Sequence, residues 1–374
     1  MRVGIDGRVL LGRKTGDRTY TFNLLRALQK LDTPHELVLY LTREPDTLLR
    51  HDLQGYDIRV SPPTAPYLWT LFRLPHLARE DALDVLHVQY MTPLRCPCPV
   101  VSTIHDISFR LHPEWFRFRD RVVMNTFVPR SIARTSALIT PSQSAADNIA
   151  REYGYPRERI FVTPEAADSR FFENVGAIEA RRCRDKFHIE GRYMLYVGNI
   201  QPRKNVARLI RAFEAAREQH QLCDQLLLAG QFGWKCNDAR RALKRAGQKG
   251  YVRHLGYVSD DDLPALYSEA VAFLFPTLHE GFGLPVLEAM ASGTPVITSN
   301  TSSLPEVAGD AALLVDPADE EAITHAIGRM ATDATLRRRL SEAGRNRAGE
   351  FSWSNTATAT LEAFEAAVDG ANRT

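Results

Sequence analysis

The chain is short of most features that would mark a specialised surface. Lys and Arg number 47 against 45 Asp and Glu, a formal net charge of +2 over 374 residues. So small an excess leaves no electrostatic footprint for a nucleic acid. There are only five cysteines, Cys96, Cys98, Cys183, Cys223 and Cys236. Their number is odd, they are scattered, and Cys96-Pro97-Cys98 lacks the usual zinc spacing, so they read as reduced thiols in a cytoplasmic protein. No apolar run approaches the ~20 residues of a membrane-spanning helix. The opening MRVGIDGRVLLG reads as a first strand and not an export signal, because Asp6, Arg8 and Arg13 interrupt it. Low-complexity tracts and short repeats are also missing.

What is present is ordinary for a folded enzyme-sized chain: 44% hydrophobic and 25% charged residues. Short apolar runs alternate with helical patterns. Residues 2–6, 36–41, 84–89, 99–104, 136–142 and 159–164 read as strands. A helix is expected from Thr19 to Leu31, and another over 142–154, with Ser142 as cap and Gly154 as stop. The pattern lapses into polar residues around Asp168 to Gly191, which reads as a linker. It resumes with strands at 193–198, 224–230, 252–258, 271–276, 294–299 and 311–315. Alternation of this kind predicts an α/β fold of two doubly wound, Rossmann-like domains with parallel sheets and a cleft between them. The expected division is 1–180, 181–352 and a helix over 353–374 packing back on the first domain.

Ligands of open parallel sheets bind beyond the carboxyl ends of strands, which turns a list of strands into a list of candidate sites. His105 follows the run at 99–104, a position that favours function over a satisfied core histidine. Arg203 and Lys204 follow the run at 193–198 and precede a helix whose apolar positions are Val206, Leu209, Ile210 and Phe213. Asn205 is placed to cap it. A helix N-terminus with two added cations suits a diphosphate. Taken alone, the pair reads more readily as a solvated surface turn.

HEGFGLPVLE, residues 279–288, places two carboxylates around a glycine-containing loop. Pro285 suits the first position of a helix, with Glu288 in its first turn or so. Gly281 and Gly283 let the backbone approach a ligand. Glu288 could merely complement the helix dipole and Glu280 could be exposed. The sharper reading is that carboxylates accept from the paired hydroxyls of sugars. Cations and carboxylates together fit a nucleotide sugar, with ribose, diphosphate and hexose in line. Asp260-Asp261-Asp262 contains the Asp-x-Asp that some metal enzymes use, but Ser259 and Asp262 make a capping box ahead of LPALY. His87 and His279 read as structural. Aromatics mixed with arginines at 67–77 and 109–127 fit either a membrane surface or ordinary helix faces.

HEGFGLPVLEAMASGTPVITSN resembles the E-x7-E signature of retaining GT-B glycosyltransferases, glycosyltransferase family 4. The likeness extends through GIDGRVL, VVSTIHDISF, SALITPSQS, VTPEAAD, YVGNIQPRKNVARLIRAF and SSLPEVAGDAALLVDP, in order over nearly the whole chain. The resemblance implies that Glu280 faces the donor sugar and Glu288 the ribose. Arg203 and Lys204 then take the diphosphate, and the backbone of Gly281, Phe282, Gly283 and Leu284 lies along the donor. Val258 offers main-chain atoms to the base. His105 and Gly16 serve from the first, acceptor-side domain, and the second domain binds the nucleotide sugar. The family usually carries a second glycine two residues after Gly16, where this chain has Arg18. The implied activity is metal-independent, retaining transfer of a hexose, with mannose the first expectation, in polysaccharide biosynthesis. The donor is GDP- or UDP-linked, no cofactor is implied, and the acceptor is a glycan or lipid-linked hydroxyl. Peripheral contact with the cytoplasmic face of a membrane through 67–77 and 109–127 is part of the same expectation. A nucleotide-sugar epimerase of the same fold and a non-catalytic nucleotide-sugar or glycan binding protein are the rival readings.

Overall fold

The computed structural model describes residues 1–12, 15–61 and 68–372. Arg13 and, from the aromatic stretch at 67–77, Tyr67 lie outside the described residues. The chain forms two compact units. The first comprises Met1–Arg110, Arg119–Glu165 and Ser352–Thr374, and the second Leu111–Phe118 and Ala166–Phe351.

The first unit has a seven-stranded parallel sheet. Its strands are β1 (Arg2–Asp6), β2 (Glu36–Leu41), β3 (Asp57–Val60), β4 (Val85–Gln89), β5 (Val100–Thr103), β6 (Ala137–Thr140) and β7 (Ile160–Val162). They lie in the order β3-β2-β1-β4-β5-β6-β7. β5 and β6 are buried along their whole length, as strands covered on both faces must be. β3 has no counterpart among the sequence expectations. It is an edge strand, and of its four residues, Asp-Ile-Arg-Val, only Ile58 is even half-buried, so no apolar run announces it.

One face of this sheet carries the helix Gly16–Lys30, whose Leu24, Leu25 and Leu28 are buried. The helix Trp353–Asn372 packs beside it with Ala357, Ala363, Phe364 and Ala367 in the same cluster. Trp69, Leu74, Leu77 and Ala78 cover the other face. The helix Gln143–Tyr153 has the expected ends: Ser142 Oγ accepts the Ala145 N–H, and Gly154 closes it at φ 62°. All five cysteines are unbridged thiols.

The second unit has a six-stranded parallel sheet of β8 (Tyr193–Val197), β9 (Gln225–Ala229), β10 (Val252–Gly256), β11 (Ala272–Phe275), β12 (Val296–Ser299) and β13 (Ala312–Val315). Its order is β10-β9-β8-β11-β12-β13. The strand order therefore reverses between β8 and β11, and this is where such a sheet opens to a ligand.

Three local expectations are corrected. The polar stretch around 168–191 is no mere linker: Ala177–Phe187 is a helix of the second unit. It was hidden because Cys183 is its only buried residue, so it shows no apolar stripe. Asn205 does not cap the following helix Val206–His220. It sits in the left-handed region at φ 60°, and its amide donates to the carbonyls of Pro276 and Pro317. The Ser259–Asp262 capping box also fails. Ser259 Oγ donates to the Asp262 carboxylate itself, which also binds Lys186 Nζ, and no side chain caps the helix Leu263–Ser268.

Candidate active site

At the switch point of the second sheet, β8 runs into a short 3-10 turn, Pro202–Lys204, and β11 runs into the loop that carries Glu280. Adjacent strands thus bring together residues 76 and 77 positions apart. Arg203 Nη1 lies 2.6 Å from Glu280 Oε2, and Lys204 Nζ lies 2.7 Å from Glu280 Oε1. Arg203 Nη1 also donates to the His279 carbonyl at 2.9 Å, and the Leu278 N–H to the Arg203 carbonyl at 2.7 Å. Lys204 Nζ stands 4.7 Å from the centre of the Phe275 ring.

The side chain of Glu280 is 8% exposed. Burial by itself pushes its carboxyl pKa up, but Arg203 and Lys204 outweigh burial and hold it below the ordinary value. The cluster carries two cations on one carboxylate.

The loop after Glu280 is fixed from below. The Glu280 N–H donates to Ser302 Oγ at 3.1 Å, and Ser303 Oγ donates to the carbonyls of Glu280 and Phe282. Phe282 is buried. Gly283 has φ 124°, and a Cβ there would come within 2.7 Å of Leu304 Cδ2, so this turn needs glycine. The helix Leu284–Ala291 starts one residue before Pro285. Glu288 lies beyond its first turn, half-buried, and accepts from the Tyr267 hydroxyl at 3.0 Å. Val258 lies just past β10 at the sheet edge, two strands from β8, and is not part of the ionic cluster.

The first unit gathers a different cluster. His105, two residues beyond β5, has Nδ1 3.4 Å from Glu165 Oε1 and Nε2 3.3 Å from Gln89 Oε1. Asp17 Oδ1 stands 3.9 Å from Nε2, and Tyr20 meets the ring edge-on at 4.7 Å. Burial would lower the pKa of His105, but Glu165, Asp17 and Asp106 reverse this and raise it. His87, behind it, is lowered to about 4 by burial and by His105, and its Nε2 pairs with Thr103 Oγ1 at 2.8 Å. Gly16 opens the helix Gly16–Lys30 and is exposed, and among the described residues a Cβ at this position would meet nothing within 4 Å. Packing thus gives no reason for glycine here. Arg18 Nε donates to the Leu10 carbonyl at 2.8 Å.

The sequence reading overlooked Glu165, Gln89, Asp17, Ser302, Ser303 and Tyr267. Glu165 and Gln89 could have been found by the strand-end rule applied to β7 and β4. Ser302 and Ser303 stand in the quoted SSLPEVAGD motif. Among the described residues, no group of three or more His, Cys, Asp or Glu is gathered to hold a metal ion. No helix among them is long and apolar enough to cross a membrane.

Two parallel sheets with helices match the GT-B fold of solved glycosyltransferases. Residues 181–347 match the family model of glycosyl transferases group 1, and residues 15–171 that of Glycosyltransferase Family 4. The chain is 37% identical over 309 residues to O-antigen chain mannosyltransferase B of Escherichia coli, covering 80% of each protein. It is 31% identical over 277 residues to the serotype-specific mannosyltransferase WbdA of Escherichia coli, covering 72% of this chain and 33% of that one. Its fold matches Anabaena HepE in complex with UDP-glucose with a TM-score of 0.76 at 17% identity, over 97% of this chain and 98% of that one. The chain belongs to the family 4 glycosyltransferases, and its activity is transfer of a hexose.

Proposed function

We propose that the protein transfers mannose, with retention of anomeric configuration, from a GDP- or UDP-linked donor to a hydroxyl of a glycan or lipid-linked acceptor. The observation that carries this reading is the Arg203–Glu280–Lys204 cluster at the reversal of strand order, beside the start of the helix Val206–His220. The bond from the anomeric carbon to the β-phosphate oxygen breaks, and the acceptor oxygen bonds to the same carbon. The acceptor's proton passes to the departing phosphate oxygen. Arg203 and Lys204 stabilise the negative charge that grows on the diphosphate, a task for preorganised cations. Because they supply that charge, we propose that transfer needs no divalent metal.

Glu280 orients both cations and supports positive charge at the anomeric carbon, and Glu288 holds the ribose. The backbone of residues 281–284 and of Val258 serves the donor, and His105 and Gly16 act from the first unit. Similarity to mannosyltransferases of O-antigen chains supports mannose and a glycan acceptor. Exposed Leu68, Phe72, Phe118 and Val122 support peripheral membrane contact through 67–77 and 109–127, which sedimentation with anionic vesicles tests.

The test of the whole reading is a thermal-shift panel of nucleotide sugars, followed by transfer to glycan acceptors in excess chelator with NMR of the new linkage. A binder at 100 times its dissociation constant stabilises by about 2.7 kcal/mol. Stabilisation by GDP- or UDP-mannose and an α-linked product support the proposal. Inversion, strict dependence on Mg²⁺ or Mn²⁺, donor turnover without an acceptor, or tight donor binding without transfer each overturn it.

A further inference from the structure

His105 is held by more acceptors than packing requires. Gln89 closes β4, and its amide nitrogen donates to Thr21 Oγ1 at 2.5 Å. That bond turns the Gln89 oxygen, an acceptor only, toward His105 Nε2 at 3.3 Å. With the amide in this orientation, Nε2 is the donor of the pair. At the other side of the ring, Nδ1 faces the Glu165 carboxylate at 3.4 Å, and an ionised carboxylate is also an acceptor only. Flipping the ring would put C–H groups against these acceptors. The arrangement fits an imidazolium with both nitrogens donating.

The charged and titratable groups that face this ring come from every neighbouring element. Among the described residues they include Glu165 after β7, Asp17 in the first turn of the helix Gly16–Lys30, Asp106 in the adjoining chain and His87 on β4. Tyr20 and Tyr90 close the ring's sides at 4.7 and 6.0 Å. Of the carboxylates, Glu165 is the most enclosed, with its side chain 8% exposed against 45% for Asp17. Its proximity to Nδ1 is therefore the less screened by water.

We infer that Glu165 is a positioning residue for His105: its carboxylate fixes the ring through Nδ1–H, so that the Nε2–H edge beside Gln89 and Asp17 is the one presented to substrate. The substrate half of this statement rests on the reading of His105 given under the proposed function. The Glu165–His105 coupling is a property of the chain itself.

The experiment follows the histidine nitrogens by ¹⁵N NMR over a pH titration of the intact protein, with His105→Gln used to assign the signal. In the wild type both His105 nitrogens carry protons at neutral pH, and the ring titrates above an ordinary histidine. Glu165→Gln lowers that titration and moves the matching limb of the pH–rate profile with it. It also lowers kcat at least tenfold while leaving the donor KM within twofold, and Glu165→Asp restores part of both effects. A wild-type Nδ1 without a proton at neutral pH overturns the inference without any variant. So does a Glu165→Gln protein whose His105 titrates as before. Transfer by His105→Gln at the wild-type rate overturns the substrate half and the proposed role of His105, while the titration still decides the coupling.

Discussion

Each unit sets a charged cluster beyond the ends of its parallel strands, and among the described residues the two clusters differ in make-up. In the second unit Arg203 and Lys204 share one carboxylate, Glu280. In the first, one histidine stands among Glu165, Asp17 and Asp106. The same architectural rule delivers both, so the rule fixes where chemistry sits but not its kind. The kind comes from the residues after each strand. Paired cations suit a diphosphate, and a histidine beside carboxylates suits hydroxyl groups and positive charge developing on a sugar.

The largest effect is expected from cutting the paired cations. Lys204→Ala leaves Glu280 with Arg203 alone, in a site where a lost electrostatic donor costs roughly 10²–10³ in rate. Breaking a buried pair also destabilises, here by ~3 kcal/mol. Steady-state transfer and denaturant unfolding measure the two effects. A near-normal rate in a folded variant would return Lys204 to a structural role.

Removing the carboxylate instead should separate binding from turnover. Glu280→Gln keeps both cations and so retains affinity for the free nucleoside diphosphate, but transfer falls about a hundredfold, or ~2.7 kcal/mol in the barrier. Calorimetry with nucleoside diphosphate beside kinetics makes the comparison. Loss of nucleotide affinity would mean that Glu280 holds the nucleotide and that the two ends of the donor are assigned in the wrong order.

The two clusters should also respond to pH at opposite ends. The carboxyl of Glu280 is lowered by folding, so its stabilisation is present above the ordinary carboxylate value and is lost as pH falls through the lowered one. His105 is raised, so its stabilisation is full below about 6.5, the ordinary histidine value, and is lost as pH rises through the folded one. Unfolding measured across pH should therefore show Glu280→Gln flattening the acid side and His105→Gln flattening the alkaline side. Both variants changing the same limb would break the contrast.

The smallest effect belongs to Glu288, which is half-buried and accepts from the Tyr267 hydroxyl. Glu288→Gln should weaken nucleoside diphosphate and intact donor equally. One hydrogen bond of ~1 kcal/mol corresponds to roughly fivefold in affinity. A change in turnover alone would remove it from the ribose.

Much of this was legible in the sequence because buried parallel strands are nearly continuous apolar runs. Twelve expected runs are β1, β2 and β4–β13. β3 escaped because an exposed edge strand needs no such run, and the helix Ala177–Phe187 because it buries a single side chain. The strand-end rule brought Arg203, Lys204 and Glu280 into view as separate candidates. It could not show that one carboxylate takes both cations, since that depends on β8 and β11 being neighbours. Caps were the least legible. Asn205 and Ser259 have the right chemistry for capping, but tertiary partners claim their side chains.

The helix Trp353–Asn372 has a consequence for the making of the protein. It packs with the helix Gly16–Lys30, and Thr356 Oγ1 donates to the Pro164 carbonyl, although the whole of Ala166–Phe351 separates these partners in the chain. A ribosome moving at roughly 5–20 residues per second needs on the order of 10–40 s to cross that interval. During this time the rest of that apolar cluster lacks Ala357, Ala363, Phe364 and Ala367. The unit that begins first in synthesis is thus the one completed last.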